Sequence, residues 1–184
     1  MASLYQTALD ELAGTFRKLN DADVDHALDM IAKAGKVVTF GCGRERLQVM
    51  GFAMRLFHMG LPVAVVGDMT TPPVGKGDLF LASVGPGDLS TAQALLDVAR
   101  RAGATTLVIT AQPDGLASSF ADFVLTIPAQ TMADDHGDKT SSVLPMGSNY
   151  EGALFILFEV MVLKLREKLS INPEFMRSNH TNLE

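Results

Sequence analysis

Leu4, Ala8 and Leu12 recur at helical spacing, and a second apolar series of Val24, Leu28 and Ile31 opens near Asn20 or Asp21 and stops at Gly35. The two series predict a helical hairpin over residues 1–35. Short runs rich in β-branched residues follow at KVVTF (36–40), PVAVV (62–66), DLFLAS (78–83), TTLVIT (105–110) and DFVLTI (122–127). Between the first two, Leu47, Met50, Met54 and Phe57 share a stripe at helical period; between the third and fourth, Ala92, Leu95, Leu96 and Ala99 do the same. Strands alternating with amphipathic helices predict an α/β fold with a parallel sheet covered on both faces. Residues 128–147 show no period and read as a mobile loop or lid. After them, MGSNYEGALFILFEVMVLKLREKL predicts one long helix, apolar nearly all round over 153–163. A helix of that kind is buried, and on a chain of this size another subunit is expected to supply the second surface.

The 184 residues fit one domain with a complete core, divided into the hairpin (1–35), an α/β core (36–169) and a C-terminal tail (170–184). A formal net charge of −6 argues against a broad nucleic-acid-binding face, which needs clustered Lys and Arg. The single cysteine, Cys42, excludes an internal disulfide or a cysteine-based zinc site and points to a reducing cytoplasm. The first residues lack the basic start and apolar block of a signal peptide. The apolar run 153–163 contains Glu159 and falls short of a membrane span of roughly 20 residues.

Candidate chemistry begins at two glycine turns. GCGRER, Gly41 to Arg46, follows the first strand; its glycines let backbone approach a ligand at a helix N-terminus, and Arg44 and Arg46 add charge. A dinucleotide site needs a third glycine where Arg46 stands and an acid further on, for which Asp68 is the one candidate, so a nucleotide cofactor is the weaker reading. The second turn, SVGPGDLST at 83–91, offers Gly85, Gly87, Ser90 and Thr91 to an anion, yet Pro86 has no N–H to donate and Asp88 is itself negative.

Ser148 and Glu151 have the spacing of a capping box. His180 lies in a polar tail that composition alone reads as solvated, and His26, Arg55 and His58 read as surface or subunit-facing positions. Met30, Met50, Met54, Met132 and Met161 read mostly as core. Asp134, Asp135, His136 and Asp138 have metal-ligand types, but crowded acids in a glycine-containing loop read as solvated, and no metal or other cofactor is expected.

The segments GCGR, FAMRLFHMGLPVAVVGD (52–68), TPP (71–73), GDLFLAS, GPGD, ITAQP (109–113), IPAQT (127–131), PMGSNYE (145–151) and the ending MRSNHTNLE together resemble the sugar isomerase (SIS) domain family, most closely its 6-phospho-3-hexuloisomerases. The resemblance implies a flavodoxin-like three-layer fold with a five-stranded parallel sheet, assembled as a homo-oligomer, usually a tetramer, with sites at subunit boundaries. It implies a sugar phosphate as ligand and an aldose–ketose type of isomerisation. Glu151 is then the enolisation base, and His180, from the active-site tail and often from a neighbouring subunit, assists ring opening or proton transfer. Gly41, Gly43, Arg44, Arg46, Gly85, Gly87, Ser90 and Thr91 become the anion-binding set. The family's turns read GRSG and SGSGET, whereas this chain has Glu45, Val84, Pro86 and Leu89 at the hydroxyl positions. That departure keeps open a sugar-derivative binding protein, or an isomerase of a non-standard, non-phosphorylated sugar.

Overall fold

The computed structural model describes residues 3–137 and 140–183. Two helices open the chain, α1 (Leu4–Lys18) and α2 (Asp21–Lys33). The Asn20 side chain caps α2 by accepting from the Ala22 N–H at 3.1 Å, which satisfies one orphan donor of the first turn. Asn20→Ala is expected to cost about 1 kcal/mol, read as a lower midpoint in thermal denaturation followed by circular dichroism.

All five β-rich runs form strands: β1 (Val37–Gly41), β2 (Val63–Val65), β3 (Leu79–Ser83), β4 (Thr105–Thr110) and β5 (Phe123–Thr126). They pair in parallel in the order β2-β1-β3-β4-β5. Successive side chains on a strand face opposite ways. Leu79, Leu81, Leu107, Ile109 and Leu125 meet α2, the helix α3 (Gly43–His58) and the long helix α5 (Ser148–Lys168). Phe80, Ala82 and Val108 meet α4 (Ser90–Arg101) and a short 3₁₀ turn at Leu116–Phe120. Both faces are buried, which explains why these strands read as continuous apolar runs. A short helix α6 (Pro173–Ser178) ends the ordered elements.

One helical stripe lies differently from its sequence reading. In α3 the residues that enter the core are Val49, Phe52, Ala53 and Leu56, with Phe52 stacked on Phe158 of α5 at 4.4 Å between ring centroids. The stripe Leu47, Met50, Met54 and Phe57 faces outward, Leu47 being 64% and Phe57 57% exposed. α3 is apolar on two sides, and the side carrying Val49, Phe52, Ala53 and Leu56 packs into the core. Met50, Met54 and Met132 are therefore exposed, while Met161 is buried and Met30 packs against the core. Helix α5 likewise buries Tyr150, Leu154, Leu157, Phe158 and Met161 but leaves Phe155 58% and Leu163 55% exposed. Arg55 and Glu159 bridge α3 and α5 at 3.1 Å on this outer side. Among the described residues, no helix is long and apolar enough to cross a membrane.

Candidate functional site

The strand order reverses at β1, whose neighbours are β2 on one side and β3 on the other. In open parallel sheets the crevice beyond the carboxyl ends of such strands is where ligands bind. Register pairs Gly41 with Ser83, so the two glycine turns emerge side by side. Between them lies a cavity of 510 Å³, walled by residues 42–45 of the first turn, by Ser83, Val84, Pro86, Asp88 and Leu89 of the second, and by Met132, Met146 and Glu151. Its volume suits a small sugar-sized ligand.

The turns depend on glycine at particular positions. Gly43 and Gly87 have φ of +54° and +78°. Gly85 faces a different constraint: a Cβ there would lie 2.7 Å from Tyr150 Cε1 and 2.8 Å from Glu45 Oε1. The backbone is pressed against these two side chains, of which Glu45 stands on the cavity wall and Tyr150 is buried behind it.

Glu45, in the first turn of α3, reaches across to the second glycine turn. One carboxylate oxygen accepts from Ser83 Oγ at 2.6 Å, and the Gly85 N–H lies 3.0 and 3.1 Å from the two oxygens. Burial pushes the Glu45 carboxyl above the usual carboxylate range, the Ser83 and Gly85 bonds pull it back in part, and the charge of Glu151 pushes it up again. The fully buried Tyr150 hydroxyl donates to the Ile109 carbonyl at 3.0 Å and lies 3.3 Å from Ser83 Oγ. Burial raises its pKa well above the ordinary phenol value, with the Glu45 charge adding to the effect, so it stays a neutral donor.

Glu151 stands in the first turn of α5 on the cavity wall, with 17% of its side chain exposed. Arg44 grips it with two contacts, Nη2 to Oε2 at 2.7 Å and Nε to Oε1 at 3.2 Å. The same guanidinium donates to the Met146 carbonyl and to Ser148 Oγ. Burial raises the Glu151 pKa against the opposing pull of Arg44. The capping box does not form. Gly147, at φ +78°, occupies the cap position, Ser148 is already helical, and its hydroxyl donates to the Pro145 carbonyl. Glu151 is thereby left to face Arg44 and the cavity.

Residues 30–156 match the family profile described as the SIS domain. The chain belongs to the SIS domain family. Two 3-hexulose-6-phosphate isomerases resemble it over nearly their whole length. That of Mycobacterium gastri is 36% identical over 175 residues, 95% of this chain and 87% of the relative. That of Bacillus subtilis is 30% identical over 176 residues, 96% and 95% of the two chains. A solved structure from Methanococcus jannaschii, described as inferring a 3-hexulose-6-phosphate isomerase function, superposes with a TM-score of 0.83 at 26% identity, covering 96% of this chain and 98% of that one. These relatives make the chain an isomerase of the SIS family.

Within this SIS fold the residues singled out from sequence divide into two groups. Gly43, Arg44 and Glu151 line the cavity; Gly41 and Gly85 are buried in the strand ends and turns that frame it, and Gly87 shapes the second turn. Arg46 turns away, donating to the Val66 carbonyl at 2.8 Å with Asp68 at 3.9 Å. Ser90 and Thr91 start α4, are exposed, and are not part of the cavity wall, where Asp88 and Leu89 stand instead. His180 is exposed, its ring 5.1 Å from that of the buried His58 at the far end of α3. The two ends of the sixteen-residue α3 lie about 22 Å apart at 1.5 Å rise per residue, which sets that end far from Gly43. One chain therefore does not bring His180 to Glu151.

His26 is exposed and packs edge-on against Phe123, and Arg55 pairs with Glu159. Asp134 accepts from the Gln112 amide and Asp135 from the Met146 N–H. Asp138 lies outside the described residues. Among the described residues no group of three metal-ligating side chains converges. Sequence reasoning noticed Glu45 only as a missing serine. An acid following a glycine turn was the available signal that it enters the site, and Tyr150 and Ser83 gave no signal of their own.

Proposed function

We propose that the chain moves a carbonyl along a sugar through an enediol, with Glu151 as the base. The observation that carries this reading is the Glu151 carboxylate on the cavity wall, largely withdrawn from water and held in one orientation by Arg44. The base removes a proton from the carbon next to the carbonyl. The carbonyl oxygen takes up a proton to give the enediol. Glu151 then returns its proton to the former carbonyl carbon while the hydroxyl on the first carbon gives up its proton and becomes the new carbonyl, so no proton is gained or lost overall. A carboxyl pushed up by burial is better matched to this exchange than a solvated one. The relatives' names make hexulose 6-phosphates the first compounds to examine, with the corresponding free sugars run beside them. Incubating the purified protein with such a panel and following carbonyl position by NMR should show interconversion from either side; an unchanged panel overturns the reading.

The exposed outer face of α3 and α5, with Leu47, Phe57, Phe155 and Leu163, supports a homo-oligomer of dimeric or tetrameric size. In that assembly a neighbouring subunit brings His180 to the cavity, where it opens the ring or shuttles protons.

Arg44 lowers the Glu151 pKa while burial raises it. Removing the guanidinium leaves burial unopposed. Arg44→Met is therefore expected to move the acid limb of the kcat/KM profile to higher pH, since the base must be ionised to act. An acid limb that stays in place, measured from pH 4 to 9, contradicts the assigned pairing.

A further inference from the structure

The second glycine turn has two donors that suit an anion, the Gly85 N–H and the Ser83 hydroxyl, converging on one point. That point is already filled. The Glu45 carboxylate takes both donors, with Ser83 Oγ at 2.6 Å and the Gly85 nitrogen at 3.0 Å. A phosphate oxygen seeking the same donors would have to overlap these oxygens.

Side-chain substitutes are missing around it. Val84, Pro86 and Leu89 have no hydroxyl, and Pro86 has no N–H. Arg46 is turned to Val66, and Ser90 and Thr91 are not on the wall. The charged groups of the wall are Arg44 against Glu45, Asp88 and Glu151, one cation to three carboxylates. The cation is itself occupied, with both of its contacts to a carboxylate made to Glu151. A dianionic ester entering this cavity meets like charge from Glu45 and Asp88 and finds the Ser83–Gly85 donor pair already taken, which leaves it only the uncapped first-turn amides of α3 and α4.

We propose that the substrate is a ketose or aldose with no phosphate at the end seated against the turn between β3 and α4, Glu45 standing where a phosphorylated substrate would place its ester. Glu45 is thus the residue that sets specificity, rejecting the ester by occupying its seat. The proposal takes the reaction from the isomerase reading above, while the occupancy of the turn stands apart from that reading.

The test compares wild type, Glu45→Ser and Glu45→Ala in two assays. The first is isomerisation of free hexuloses and pentuloses against their phosphate esters. The second is the shift in melting temperature caused by inorganic phosphate. The wild type is expected to favour the free sugar over its ester by at least about 100-fold in kcat/KM, because an unmatched buried polar group is strongly discriminated against. Inorganic phosphate should leave its melting temperature unchanged. Glu45→Ser should narrow the preference by at least about tenfold, and phosphate should raise its melting temperature. Glu45→Ala also empties the seat and gives the same direction if the serine variant does not fold. A wild-type enzyme that prefers the ester, or that is stabilised by phosphate as much as the variants are, overturns the proposal. If no sugar is isomerised, the reaction assignment fails, and the phosphate shifts still decide whether Glu45 occupies the turn.

Discussion

Glu151→Gln is expected to lower kcat by about 10³- to 10⁴-fold, the upper part of the range for loss of a general base. That corresponds to roughly 4–5 kcal/mol of transition-state stabilisation. The side chain lies on the cavity wall and makes its polar contacts with Arg44, so glutamine keeps the volume and one of the contacts. The amide cannot accept the substrate proton at any accessible pH. Stability should change little, because the Arg44 side chain is 53% exposed and water can take over its solvation. Steady-state kinetics on the sugar that the wild type turns over fastest, with a thermal melt as control, separates the two effects. A variant that keeps its turnover removes Glu151 from the mechanism.

Gly87→Ala should have the largest effect on stability among changes around the cavity. Gly87 has φ +78°, and a Cβ there would lie 2.5 Å from Gln112 Cβ and 3.0 Å from the Gln112 carbonyl oxygen. Its backbone cannot move aside easily, since its N–H donates to Val84 and its carbonyl accepts from Ala117. Left-handed strain of about 1–2 kcal/mol adds to overpacking of about 1–3 kcal/mol. A total near 3 kcal/mol corresponds to a melting temperature lower by about 6–12 °C for a domain of this size. Gly77→Ala is the control. Gly77 has φ +87° but no heavy atom within 4 Å of the added Cβ, so strain alone remains. Equal losses in the two variants would show that crowding at the second turn does not matter.

Most of the architecture was legible because the strands are buried on both faces and their apolar runs are uninterrupted. TTLVIT became β4 without a change of boundary, and KVVTF shifted by one residue to Val37–Gly41. The start of α2 near Asn20 or Asp21 was readable because helix-start chemistry is local, and the structure makes Asn20 the cap. The outward turn of Leu47, Met50, Met54 and Phe57 was not readable, since periodicity finds a stripe without saying which of two apolar sides meets the sheet. The site was legible where a motif is local and opaque where it is assembled. Arg44 and Glu151 were each singled out, but their pairing spans 107 positions of sequence. Ser148 and Glu151 had capping-box spacing, yet Gly147 in a left-handed conformation displaced that arrangement. Glu45 was visible as a missing serine, and only the geometry shows its carboxylate in contact with Ser83 and Gly85.

Proton transfer by Glu151 is tested most directly by running the isomerisation in D₂O and locating deuterium in the product by NMR. Wild-type protein should place solvent deuterium on the carbon that receives the proton, and Glu151→Gln should lose exchange and turnover together. Deuterium incorporation by Glu151→Gln at the wild-type rate, or wild-type turnover that never draws a proton from solvent, would contradict an enediol pathway through this carboxylate.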